Sequence, residues 1–218
     1  MVQERTLREP IQARAQKTRA SLLAAAEREF SERGYARTTA KSIAARAGVA
    51  TGSFYQYFHD KDAALHELAR ARTSALIARV RGLRHPHRDR VAALAALHGV
   101  IEAVLDYHRA DVGLHAVLSE RRHADRALDT IERGSERRFV AHIAASLDDF
   151  RYAGDRKALA FVIFAMIEGA VHSHVLGARM VSDRRFSTAL VDAVVTLVRA
   201  GLPNERGARH GTNHSGAA

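Results

Sequence analysis

The sequence predicts an all-α chain of about nine helices. Three observations carry this. Apolar residues return every three or four positions through most of the chain, as one buried helix face requires. No stretch alternates polar and apolar residues long enough to argue a strand. Gly34, Gly48, the Arg84-His85-Pro86-His87 run, and Gly201 with Pro203 punctuate the pattern at intervals that suit helix lengths. With 218 residues and 47% hydrophobic composition, the chain can bury a substantial core.

Composition narrows the function classes. A net charge of +10 and a pI near 10.7 suit a polyanionic partner. Cysteine is absent, which excludes disulfides and thiolate metal sites and is compatible with a cytoplasm. The N-terminal MVQERTLREPIQARAQK lacks the apolar centre of a signal peptide. The longest uninterrupted apolar run is Leu159 to Ile167, far short of the ~20 residues that span a bilayer. A soluble, cytoplasmic protein with no membrane partner is expected.

Residues 1–14 read as a polar arm bearing Arg5, Arg8 and Arg14. Two readings stand for it: a flexible terminus, or an arm that reaches DNA as homeodomain arms do. A helix from about Ala15 to Arg33 follows, with Leu22, Leu23, Ala26 and Phe30 as its buried stripe and Gly34 as its end. Thr39 is placed to cap the next helix. Three residues on stands Ser42, not Glu or Gln, so a full capping box is not expected. Ile43, Ala44 and Ala47 share one face, and Gly48 suits a left-handed turn. A second short helix runs from about Ala50 or Thr51 to Phe58. It is small at its start, where backbone can approach a duplex closely. Thr51, Gly52, Ser53, Tyr55, Gln56 and Tyr57 form its outward faces. Two small helices about a glycine turn make a helix-turn-helix.

This stretch, TTAKSIAARAGVATGSFYQYFHDK over residues 38–61, closely resembles the DNA-binding motif of the TetR family of bacterial transcriptional regulators. Thr38, Thr39, Ile43, Ala44, Ala47, Gly48, Val49, Gly52, Tyr55, Tyr57, Phe58 and Lys61 meet the family pattern. Ala50 departs from it, standing where the family usually has a serine that caps the recognition helix, so Thr51 is expected to take over that cap. The resemblance implies a DNA-binding site of Thr39, Lys41, Thr51, Gly52, Ser53, Tyr55, Gln56, Tyr57 and Lys61. In it Lys41, Tyr55, Tyr57 and Lys61 mainly hold phosphates, and Thr51, Gly52, Ser53 and Gln56 lie nearest base edges. It also implies a double-stranded operator as partner, a helical effector-binding and dimerisation domain, and repression relieved by a small molecule. A helical ligand-binding or scaffolding protein without sequence-specific DNA binding is the alternative.

The expected division is a basic arm (1–14), a three-helix DNA-binding domain (15–61), a helical body (62–203) and a polar, Gly-rich tail (204–218). Body helices are predicted at about 62–83, 88–108, 112–121, 125–147, 155–176 and 186–200. Gly134 within the fourth of these marks either a kink or close packing. The helix at 155–176 is apolar nearly all round through its middle, which calls for cover on every side. Paired with the last helix, it is expected to form a homodimer's four-helix bundle.

Glu168 and His172 lie four apart on one face of that helix, and His98 and Glu102 repeat the spacing on another, with Tyr107 and His108 beyond. Such groups either line an effector pocket or, for Glu168 and His172, satisfy each other or sit at the dimer interface. With Phe139, Phe161 and Phe164 as apolar wall, the pocket would suit a hydrophobic or aromatic effector. His172 and His174 point apart on a helix, and His85 and His87 lack supporting ligands, so no metal site and no cofactor are expected. No phosphate loop, Gly-x-Ser-x-Gly or HExxH is present, and no enzyme is expected.

Overall fold

The computed structural model of the chain describes residues 3–83, 90–149, 152–177 and 179–200, and the side chains of 12–83, 95–148, 152–177 and 179–200. Among these residues there are nine helices and no strand: α1 (Gln3–Arg37), α2 (Ala40–Arg46), α3 (Thr51–Tyr55), α4 (Lys61–Gly82), α5 (Arg90–Ala110), α6 (Val112–Arg122), α7 (Arg126–Asp149), α8 (Arg156–Leu176) and α9 (Asp183–Arg199). The expectations about His85, His87 and the tail from 204 lie outside them.

The N-terminal helix is longer than its apolar stripe predicts. Its backbone is already helical at Gln3, so most of the expected arm continues α1. Gly34 breaks it at φ 72°, a left-handed conformation that glycine adopts without a Cβ penalty. Gly48 does the same after α2, at φ 70°. The start of α2 differs from expectation. The Thr39 hydroxyl accepts from the Ser42 N–H at 3.0 Å, and Ser42 Oγ accepts from the Thr39 N–H at 3.1 Å. A serine thus closes the reciprocal capping box that the Glu/Gln rule does not anticipate.

Two apolar clusters hold the molecule together. The first gathers Leu22 and Phe30 of α1, Ile43 of α2, Phe54 of α3, Phe58, and Leu65 and Leu68 of α4. It continues into the body through Leu114, Val117 and Leu118 of α6 and Leu128 of α7. The expected boundary at residue 61 is therefore no boundary in the core. A three-helix head of this size has too little interior to be stable alone, and α6 and α7 complete it. The second cluster joins Leu76 and Val80 of α4, Ile101 and Leu105 of α5, Ile163, Ile167 and Val171 of α8, and Leu190 and Val194 of α9. Helix α4 runs through both.

The seam between head and body is tight. A Cβ added to Gly113 would stand 2.3 Å from the Ser31 carbonyl oxygen, so the start of α6 rests directly on α1 backbone. The Ser31 hydroxyl donates to Asp111 at 2.6 Å, and the same carboxylate oxygen caps α6 through the Leu114 N–H at 2.8 Å. Nearby, the Tyr35 ring has the Lys61 ammonium 3.9 Å and the Arg121 guanidinium 4.0 Å from its centroid. Its hydroxyl donates to Asp62 at 2.6 Å.

Gly134 produces neither a kink nor close packing: α7 is continuous through it, and a Cβ there would meet nothing. Helix α8 is, by length and composition, apolar enough to cross a membrane, which the shorter run at 159–167 did not indicate. Here Ala160, Ile163, Ile167 and Val171 are buried in the body, while Phe161, Val162, Ala165 and Gly169 form an exposed stripe. Helix α9 begins at Asp183, three residues before the predicted Phe186. The Asp183 carboxylate meets His174 at 2.8 Å and Arg109 at 2.9 Å, which anchors that extra turn.

Candidate functional site

The head presents a polar face built on a buried apolar one. Phe54 and Phe58 pack inward at 5.5 Å between ring centroids. Their burial turns Thr51, Gly52, Tyr55 and Gln56 to solvent, with Ser53 and Tyr57 half-buried beside them. Tyr55 is 59% exposed, a large value for an aromatic ring that stands edge-on to Phe54. Thr39 and Lys41 are exposed on α2. A Cβ on Gly52 would meet no atom of the protein, so nothing in the fold requires glycine there. The requirement, if any, comes from outside.

Two positions differ from the expectation drawn from the family motif. Ala50 is the N-cap of α3, with no side-chain cap, and Thr51 does not replace it, because Thr51 is already the first helical residue. The Thr51 hydroxyl remains on the outer face. Lys61 points the other way. Its ammonium donates to the carbonyls of Tyr35 at 2.8 Å and Thr38 at 2.9 Å, at the end of α1. Burial holds its pKa below the usual lysine value. It clamps the α1–α2 turn rather than facing outward with Lys41. A second clamp is Arg46, which bonds Glu29 at 2.7 Å and Glu32 at 2.9 Å and ties α2 to α1.

The expected effector-pocket residues fall into three groups. His98 and Glu102 lie 4.0 Å apart with side chains 46% and 41% exposed, on the outside of α5, and they line no interior. Phe161 is 60% exposed on the α8 stripe, whereas Phe139, packed against the second cluster, stacks with Phe164 at 6.3 Å between centroids. Glu168 and His172 do meet other polar groups, but not each other. Glu168 pairs with His108 of α5 at 3.3 Å, and His172 Nδ1 lies 3.3 Å from His115 Nε2 of α6. His174, two residues on, turns instead to Asp183 and stacks on Phe186.

His108, His115 and His172 therefore form a cluster from three helices, with ligand atoms all within 4.8 Å of one another. His108 is wholly buried and His115 is 7% exposed. The His108 Nδ1 lies 2.9 Å from the Val104 carbonyl, which can only accept, so that nitrogen carries a hydrogen. Burial opposes charge on His108, but the Glu168 carboxylate outweighs it and raises the pKa. Burial, then the charges of His108 and His172, push His115 down to about 4. Arg72 and Tyr107 flank the cluster, the guanidinium 5.0 Å from the ring and donating to the Tyr107 carbonyl at 3.0 Å. Glu132 of α7, whose Oε1 is buried without a hydrogen bond, is raised to about 7 by burial against the pull of Arg122, with the Glu168 charge adding to the rise. Only His108 among the missed groups carried a sequence signal, through its place beside Tyr107. His115 stands on a short helix with no spacing relation to the other two.

An all-α head with an outward helix-turn-helix face, joined to a body with an interior polar cluster, defines the class of DNA-binding regulators that pair a reader with a sensor domain. Residues 22–68 match the profile described as bacterial regulatory proteins, tetR family, and residues 94–200 match that of a tetracyclin repressor-like C-terminal domain. The chain belongs to the TetR family of transcriptional regulators. The regulator TtgR of Pseudomonas putida is 53% identical over 47 residues, 22% of either chain. The repressor KstR2 of Mycobacterium tuberculosis is 32% identical over 97 residues, 44% of this chain and 48% of that one. The matched regions thus span less than half of these relatives. Among solved structures, a transcriptional regulator from Pseudomonas aeruginosa PAO1 aligns over 84% of this chain and 90% of its own, with a TM-score of 0.72 and 20% identity. A SmeT–triclosan complex aligns over 87% and 93%, with a TM-score of 0.68 and 20% identity. Those two likenesses concern the fold.

Proposed function

We propose that the protein is a homodimeric, cytoplasmic repressor that leaves a pseudo-palindromic operator when its body takes up a small molecule. The observation that carries the reading is the solvent-facing set Thr51, Gly52, Tyr55 and Gln56, raised on a helix whose inner side is locked in the core. Such a helix enters a major groove, its small first turn nearest the bases and its tyrosines at the phosphates. Lys41 and the outward hydroxyls of Thr39, Ser53 and Tyr57 complete the face. Lys61 supports it from behind.

A single reader covers one half-site. The exposed stripe of Phe161, Val162, Ala165 and Gly169 on α8 suits a second copy, which would pair two heads across successive grooves. The known ligand of SmeT in its printed complex, triclosan, belongs to that protein. For this chain the polar cluster around His108, His115, Glu132, Glu168 and His172 supports an effector bound through polar groups, in place of the hydrophobic one expected from Phe139 and Phe164. Effector binding favours one of two dimer shapes and so changes operator affinity.

Gel shifts over a salt series, on DNA flanking the protein's own gene, test the reading. A specific shift whose affinity falls steeply with salt is expected. Failure to shift any such fragment, or undiminished binding by Tyr55→Ala with Gln56→Ala, would overturn it in favour of a helical ligand-binding protein.

A further inference from the structure

We infer that the body holds a divalent first-row transition metal, best fitted by Zn²⁺, on His108, His115 and His172, with Glu168 as the fourth ligand. Neutral imidazoles and a carboxylate form the donor set that such ions take. Nitrogens bound ~2.1 Å from a tetrahedral ion lie about 3.4 Å apart. His115 Nε2 and His172 Nδ1 are 3.3 Å apart, as are His108 Nε2 and Glu168 Oε1. One ligand nitrogen from each imidazole lies within 4.8 Å of the others, so small ring rotations complete the set.

A second observation points to the same occupant. His108 is fully buried, and its Nε2 faces the Glu168 carboxylate at 3.3 Å, inside the cluster. Its Nδ1 hydrogen is already directed to the Val104 carbonyl, so Nε2 is the nitrogen free to ligate when a metal ion displaces its proton. A backbone carbonyl behind a ligating histidine is the support that fixes ring and tautomer in metal sites. The charge of Arg72 opposes a cation here, but its guanidinium is engaged by the Tyr107 carbonyl and ring and by Glu27 at 3.9 Å.

The ligands join α5, α6 and α8. Helix α6 rests on α1 at Gly113, and α8 carries the exposed apolar stripe. Occupancy would therefore bear on both the head and the pairing surface. That regulatory consequence rests on the repressor reading, whereas the metal binding itself does not.

Co²⁺ is the probe, added to the full-length, tag-free protein after chelator treatment, with no DNA present. One equivalent per chain is expected to give the intense visible band of tetrahedral cobalt, and Zn²⁺ to abolish it. The exposed His123 serves as control: His123→Gln keeps the band. His115→Gln and His172→Gln each lose it, with metal affinity reduced more than the ~10–100-fold that outer-shell changes cost. To keep the test independent of folding in the variants, the melting temperature of the unaltered protein is read alongside, and one equivalent of Zn²⁺ is expected to raise it. Absence of both the band and the rise overturns the site, as does a band that survives both substitutions. Operator gel shifts on the same metal-free protein report separately on the repressor reading.

Discussion

The head and the body solve opposite problems with polar side chains. In the head, apolar residues face in, and the polar side chains of Thr51, Tyr55 and Gln56 face solvent. In the body, the outer face of α8 is apolar, while Glu132 Oε1 and Arg72 Nε are buried without hydrogen bonds. Buried polar atoms are normally satisfied, so these two are exceptions. The contrast teaches that the two proposals, an operator at the head and a metal ion in the body, rest on opposite placements of polar groups.

Several substitutions would break or sharpen that contrast. The largest effect is expected where the two regions share a core. Leu114→Ala should cost about 2–5 kcal/mol in urea unfolding, and lower head and body stability together, because Leu114 lies wholly buried in the head's cluster. Independent melting of the two regions would sink the shared core. Lys61→Met should come next, at about 1–3 kcal/mol for two lost carbonyl partners and the Tyr35 contact. Lys41→Met should leave unfolding unchanged, while weakening DNA binding and lowering its salt slope by about 1. If Lys61→Met instead spared stability and weakened operator binding, Lys61 would belong to the outer face.

Gly52→Ala tests that face from the other side. The fold has room for the methyl group, and alanine favours a helix, so stability should hold or rise by up to about 1 kcal/mol. Operator affinity should fall about tenfold if a duplex approaches the backbone there. For the body, Glu132 offers a pH test. Its folded pKa of about 7 lies above the ordinary 4.5, so the folded state binds a proton more tightly than the unfolded one. Its contribution to stability is fully present below 4.5 and is lost as pH rises through 7. The melting temperature of Glu132→Gln should fall less than that of the natural protein between pH 5 and 8; parallel profiles would place the carboxylate in contact with water. The smallest change is Ala50→Ser, which supplies the missing cap of α3 and should add about 0.5–1 kcal/mol by thermal melting.

The helix-turn-helix was legible because its geometry is local: Ile43, Gly48, Phe54 and Phe58 fix two short helices within twenty residues. The all-α architecture was legible from periodicity alone. Other features depend on contacts that spacing does not encode. Ser42 closes the capping box because a short hydroxyl can reach the Thr39 N–H. The inward turn of Lys61 depends on carbonyls that Gly34 leaves open 27 positions earlier. His115 joins His108 and His172 only because Gly113 lets α6 lie flat on α1. His98 and Glu102 show the converse: an i, i+4 polar pair looks the same in sequence whether its face is inside or out.

The Gly113–Ser31 contact also gives the molecule a mechanical direction. Atoms at van der Waals distance resist compression steeply but resist separation weakly. A movement of α6 toward α1 would be carried to the head almost without loss. A movement away has the Ser31–Asp111 hydrogen bond and the apolar contacts of Leu114, Val117 and Leu118 to draw on, and part of it would be absorbed in loosening them. The seam works as a strut before it works as a tether.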